Sequence, residues 1–188
     1  AALTILPEAT ALPLPIEEVC AGPALDLVQD AAIGAHAIVC GPGLGGPRDI
    51  DRLVGMVADL EDRPRVLDAD ALNSIATMPE RSYRGPLILT PHPGEWNRMA
   101  RSLGIVDDAM DDARRPAAAA ALARRLDAGG GPVVVVLKGD RTVVSDGRRF
   151  WRHEIANPAL ATGGTGDVLA GTLGGLLAQF HPRAGAPA

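Results

Sequence analysis

Aromatic side chains are scarce: two Trp, one Tyr and two Phe make up 3% of 188 residues. A core must then be filled by Val, Leu, Ile and Ala. Cys20 and Cys40 are the only cysteines, too few for a disulfide framework. Cys40 closes the apolar run Ala37-Ile38-Val39 and reads as a buried, inert thiol. Basic residues are outnumbered 18 to 23, for a net charge of −5. That balance argues against nonspecific nucleic-acid binding, which needs a basic face, but not against a phosphorylated small ligand, for which local donors decide. No run approaches the ~18 apolar residues of a membrane span. The N-terminus lacks the basic-then-apolar layout of a secretory leader. A cytoplasmic chain with no membrane and no nucleic-acid partner is expected.

What is present is a folded composition, 47% hydrophobic and 22% charged, of a length that suits one core. An apolar run at residues 2–6 reads as a strand or edge segment, followed by a proline-bearing loop. Residues 23–35, 48–60, 94–103 and 115–127 read as helices, with a short helix or turn from Ala71. Strands are predicted at 37–40, 65–69, 86–90 and 133–137. Thr142–Ser145 and Arg149–Arg152 flank Asp146-Gly147 as a hairpin. No internal repeat is evident. Alternating strands and helices predict an α/β fold: three layers, a mostly parallel sheet and helices on both faces.

A polar, Gly-rich turn, Asn157 to Gly171, runs into the last helical pattern, in which Leu169, Leu173, Leu176 and Leu177 mark one buried face. Gly163 to Gly166 form a loop at that helix's N-terminus, aiming free N–H groups at whatever lies above. A phosphate or developing oxyanion fits there, with Asp167 beside it as a candidate base. The same residues also suit a plain cap, since Thr165 and Asp167 are common N-cap types. Other polar segments follow strand ends near residues 41, 68, 90 and 138. In open α/β sheets ligands bind outside those ends, so the segments converge on one rim.

Each segment has a plainer reading. Gly41-Pro42-Gly43-Leu44-Gly45 suits a close wrap around a ligand or a tight turn. Asp68 and Asp70, two apart in an extended segment, point the same way and suit a metal, a polarised water or helix capping. His92, between two prolines, is a ligand contact or a surface histidine. Lys138 meets a phosphate as a point charge or is a solvated strand-end lysine. His36, His153 and His181 show no metal-ligand spacing, and Arg124-Arg125 and Arg148-Arg149 read as solvated faces.

Taken together, the ordered motifs Gly41–Gly45, Leu67–Asn73, Thr90–Glu95, Val136–Thr142 and Asn157–Gly171 resemble those of the ADP/ATP-dependent NAD(P)H-hydrate dehydratases, within the ribokinase-like group. The resemblance implies return of hydrated NADH or NADPH (NADHX, NADPHX) to NADH or NADPH. The ring hydroxyl is phosphorylated and phosphate is then eliminated, with ADP or ATP and Mg2+ as cofactors. It implies Asp167 as base; Gly43, His92 and Asp167 at the hydrate; and Lys138, Gly139, Asp140, Arg141, Thr142, Gly164, Thr165 and Gly166 at the nucleotide. Asp68, Asn73 and Glu95 are carried over as supporting residues, and no metal ligand is assigned. Ala159-Leu160 stands where the family often has Gly-Met. The expectation is one ribokinase-like domain over residues 1–188 lacking N-terminal and C-terminal parts, and a homo-oligomer. Two rivals share the Gly-rich turn: a vitamin-type small-alcohol kinase of the same fold, and a nucleotide-binding fragment with impaired catalysis.

Overall fold

The structure, a computed structural model, describes residues 9, 11, 22–45 and 50–181. Cys20, and the strand expected at residues 2–6, lie outside the described residues. The elements run α1 (Gly22–Ile33), β1 (Ile38–Cys40), α2 (Ile50–Ala58), β2 (Arg65–Leu67), α3 (Asp70–Thr77), β3 (Leu87–Leu89), α4 (Pro93–Leu103), α5 (Arg115–Leu126), β4 (Val133–Leu137), β5 (Val143–Ser145), β6 (Phe150–Arg152), a 3-10 turn (Pro158–Leu160) and α6 (Thr165–Phe180).

The six strands lie in sequence order, β1 to β6. β1 to β4 pair in parallel, and β5 and β6 add an antiparallel hairpin. Register puts Cys40, Leu67, Leu89 and Val135 side by side on one face. That face carries the main core, into which α1 to α5 drive Leu25, Leu53, Leu72, Trp96 and Leu122. The indole of Trp96 satisfies its one donor on the Ala118 carbonyl, 3.1 Å away. Val133–Leu137 reads as an unbroken apolar run because both faces of β4 are largely covered. α4 ends at the expected residue, where Gly104, with φ 67°, closes it in the left-handed conformation.

The other face presents Val39, Val66, Ile88 and Val134, in register. α6 packs there, over β1 and β2. Its contact differs from the leucine face read from the sequence. Ala170 and Gly174 are the buried residues. Leu169, Leu173 and Leu177 are half-buried, and Leu176 is exposed. The helix approaches Val39 so closely that only a small residue fits at 174, which pushes the leucines to the flanks. α6 also starts at Thr165, so Thr165 and Gly166 belong to its first turn rather than to a loop.

Arg148 and Arg149 are exposed, but the Arg124-Arg125 pair is not simply solvated. Arg124 Nη1 donates to the Gly147 carbonyl (2.7 Å), bracing the hairpin turn, and Arg125 Nη2 donates to the Pro79 carbonyl (2.6 Å). No helix among the described residues is long and apolar enough to cross a membrane.

Candidate active site

The rim is built from the C-terminal ends of β1 to β4. After β1 the chain turns at Gly41, with φ 126°, and a Cβ there would overlap the Asp68 carbonyl oxygen. Only glycine permits that approach. The contact is locked from both sides: Asp68 N–H donates to the Cys40 carbonyl (3.1 Å), and Gly45 N–H to Asp70 Oδ2 (2.9 Å). Burial pushes the Cys40 thiol up to about 11, leaving it protonated and inert.

Asp68 and Asp70 therefore diverge in role. The segment is not extended: Asp70 opens α3, and Ala69 between them has φ 50°. A non-glycine residue in the left-handed region costs about 1–3 kcal/mol, so the surrounding contacts hold this turn. Asp70 fastens the β1 loop, while buried Asp68 turns to Lys138, its Oδ1 lying 2.7 Å from Nζ. Among the described residues no cluster of three His, Cys, Asp or Glu groups could hold a metal.

Lys138 is the only lysine in the chain. Its ammonium also lies 3.8 Å from Glu95 Oε2. Two buried carboxylates thus face one cation, which leaves a negative surplus on the floor of the rim. Glu95 is held in turn by a capping box at the start of α4. Its Oε2 accepts the His92 N–H (2.7 Å), and His92 Nδ1 accepts the N–H groups of Gly94 (3.0 Å) and Glu95 (3.4 Å). Because Nδ1 accepts, the hydrogen-bond network assigns the ring proton to Nε2, 3.4 Å from Glu95 Oε1. His92 is thus a helix cap with a half-exposed ring at the rim. Asn73 Oδ1 accepts from Arg98 Nε at 2.9 Å.

The first turn of α6 lies directly above this floor. A Cβ on Gly166 would stand 3.5 Å from both Asp68 Oδ2 and Lys138 Nζ. The N-cap is Gly164, with φ 88° and no side-chain cap. Thr165 Oγ1 spends its proton on the Thr162 carbonyl (2.8 Å). Among the described residues no acceptor meets the N–H groups of Gly164, Gly166 and Asp167. The Asp167 carboxylate is exposed and makes no hydrogen bond or ion pair there. It does not cap its helix. Instead it borders a cavity of about 420 Å³ along β1, walled by Val28, Val39, Cys40, Leu44 and Leu53. Free donors and a free base therefore stand between an ammonium on one side and an apolar pocket on the other. Gly43 lies in the loop over that pocket, with open space around it.

From β4 the chain enters Lys138–Thr142. Asp140 Oδ1 accepts the Arg141 N–H (2.8 Å), Thr142 Oγ1 donates to the Gly139 carbonyl (3.2 Å), and the Thr142 carbonyl accepts the His153 N–H (2.9 Å). Two residues behind this loop, Asp112 and Arg115, escape sequence reasoning. They fall in a charged stretch that no motif singles out.

The sequence profile of the NAD(P)H-hydrate dehydratase family matches residues 3–188. The chain belongs to that family. It is 41% identical over 185 residues to the bifunctional NAD(P)H-hydrate repair enzyme Nnr of Salinibacter ruber, covering 95% of this chain and 32% of that protein. It is 40% identical over 161 residues to the ADP-dependent (S)-NAD(P)H-hydrate dehydratase of Neisseria meningitidis, covering 83% and 51%. A crystal structure of a ribokinase-like superfamily protein from Enterococcus faecalis superposes with a TM-score of 0.70 at 27% identity, over 96% of this chain and 58% of that one. The dehydratase-family fold is thus ribokinase-like α/β, as the motifs imply. The chain spans about a third to a half of the length of these curated relatives.

Proposed function

We propose that the site dehydrates NADHX and NADPHX to NADH and NADPH at the expense of ADP. The observation that supports it best is the unpartnered Asp167 carboxylate beside free N–H groups, flanked by Lys138 and an apolar pocket. The hydrated nicotinamide ring lies along the pocket, with Gly43 and His92 at its rim. The nucleotide lies over Lys138–Thr142, its terminal phosphate at the first turn of α6.

Asp167 takes the proton of the ring hydroxyl. That oxygen attacks the terminal phosphorus, and the bond to the bridging oxygen breaks to release AMP. The N–H groups of Gly164, Gly166 and Asp167 receive the charge that spreads over the equatorial oxygens. Phosphate then leaves the ring with the carbon–oxygen bonding pair. The neighbouring carbon gives up a proton, which restores the ring double bond. Hydroxide leaves poorly and phosphate well, and the nucleotide is consumed for that difference.

The negative surplus of Asp68 and Glu95 over Lys138 suits a cation that arrives with the nucleotide, because Mg2+ needs only one or two carboxylates beside phosphate and water. These two carboxylates would hold its water shell, and the ion would neutralise phosphate charge.

The test is direct. The protein is incubated with NADHX, Mg2+ and ADP or ATP, and recovery of NADH absorbance is followed. We expect turnover with ADP, and a loss of about 10²–10⁴-fold in Asp167→Asn, the usual weight of a positioned base, with ADP binding retained. A folded protein that gives no NADH sinks the reading, and phosphorylation of a small alcohol without NADHX repair replaces it. Undiminished turnover in Asp167→Asn removes Asp167 as the base.

A further inference from the structure

Arg115 and Asp112 reach the Lys138–Thr142 loop from behind, and none of the ordered motifs contains them. Buried Arg115 opens α5. Its Nη1 donates to the Ala109 carbonyl (2.9 Å), and Nη2 donates to the carbonyls of Leu137 (3.0 Å) and Lys138 (2.9 Å). A Cβ on Gly139 would lie 2.6 Å from Nη2, so the loop packs flat on the guanidinium. Asp112, half exposed, holds the other end. Its Oδ2 accepts Arg141 Nη1 (2.9 Å) and Arg152 Nη2 (3.1 Å), and its carbonyl accepts Arg152 Nη1 (3.4 Å). The turn carrying both residues is fixed beforehand, because the Asp111 carbonyl accepts the N–H groups of Arg114 and Arg115, each at 3.0 Å.

Peptide planarity converts these contacts into a direction. In a trans peptide the C=O of one residue and the N–H of the next point opposite ways. With the Leu137 carbonyl turned inward onto Arg115, the Lys138 N–H must point away, and it donates to the Pro91 carbonyl at 2.8 Å. With the Lys138 carbonyl turned inward as well, the Gly139 N–H must also point away from Arg115. No acceptor among the described residues meets it.

We propose that Arg115 and Asp112 are positioning residues that hold the Lys138–Thr142 backbone with the Gly139 N–H presented to a phosphate oxygen of the nucleotide. This rests on the nucleotide reading above. Arg115→Lys removes the planar fork that holds the Ala109 carbonyl through one nitrogen and the carbonyls of Leu137 and Lys138 through the other, and Asp112→Asn keeps the shape but loses the charge that gathers Arg141 and Arg152.

The test compares the full chain with Arg115→Lys and Asp112→Asn. Calorimetry with Mg-ADP and steady-state kinetics with NADHX are the readouts. ADP affinity falls about tenfold in Arg115→Lys, about 1.4 kcal/mol, and at least threefold in Asp112→Asn. KM for ADP rises in step, while KM for NADHX stays within twofold. A merely structural role lowers the melting temperature without splitting the two KM values, and that result overturns the inference. So does ADP affinity within twofold of wild type in either folded variant. If Arg115→Lys does not fold, Asp112→Asn decides alone. A wild-type chain that binds no ADP refutes the nucleotide reading and this inference together. A wild type that binds ADP, with variants that match it, refutes the inference alone.

Discussion

Gly174→Ala sets two effects of known size against each other. Gly174 is inside α6, where Ala is favoured over Gly by about 1 kcal/mol. Against this, the new Cβ would come inside the 3.0 Å of Val39 Cγ2 that real Cβ atoms essentially never breach. Val39 is β-branched and stiff at χ1, so the helix must lift or the strand must shift. Overpacking of this kind costs about 1–3 kcal/mol, for a net loss of about 0–2 kcal/mol. Gly175, the next residue, has nothing within 4 Å of its Cβ position. Gly175→Ala should gain about 0.5–1 kcal/mol from propensity alone. The two neighbours should therefore separate by about 1–3 kcal/mol, or roughly 2–12 °C in Tm at this chain length. Urea melts at equal m-value measure the difference, and Val39→Ala, which removes Cγ2, should close it. Gly174→Ala should also slow turnover more than Gly175→Ala, because lifting α6 displaces Asp167. Equal stability in the two alanine variants refutes the proposed contact between α6 and the sheet.

Two further perturbations test other parts of the structure. Gly41→Ala forces a Cβ onto the Asp68 carbonyl at φ 126°, so it should cost more than about 3 kcal/mol and abolish turnover; a denaturation midpoint within experimental error of wild type contradicts the geometry of that loop. In the hairpin, N–H groups of Arg149 and then Arg148 hold the Asp146 carboxyl down to about 2. A depressed carboxyl stabilises the fold fully above its unfolded value of about 3.9 and loses that contribution as pH falls through about 2. NMR titration of the Asp146 carboxyl should give a midpoint near 2, and a midpoint near 4 would remove the turn contacts.

Much of the fold is legible because periodicity and punctuation agree. Val133–Leu137 is apolar throughout and matches β4, and Pro93 after His92 marks the start of α4. The rim is legible too, since Lys138 and Gly166 come together as the order of strand ends suggests. What the sequence hides is pairing. Nothing in the spacing of Asp68 and Asp70 says that a left-handed Ala69 sends one to Lys138 and the other to Gly45. His92 occupies the place of the usual Ser or Thr in a capping box, with Glu95 three residues on, and that spacing was a readable signal. So was the isolation of Lys138 as the one lysine among 18 basic residues. Arg115 offered no such cue, because a buried guanidinium and a solvated one look alike in a charged stretch. The leucines of α6 misled because hydrophobicity marks the bulky flanks of a close contact, while the contact itself is made by Ala170 and Gly174.

The sequential strand order has a consequence for assembly. Each strand pairs with the one made just before it, so the sheet can grow as the chain emerges, at little cost in loop closure. α6 breaks that rule. It returns from the end of the described chain to cover β1 and β2 at its beginning, and it carries Asp167 with it. Lys138, Asp68 and Glu95 all precede it in the chain, so the sheet that carries them can form before the base arrives. On the function proposed above, a nascent or nicked chain that has formed its sheet still lacks both the base and the first-turn N–H groups of α6, so docking of this one helix is the step that completes the site.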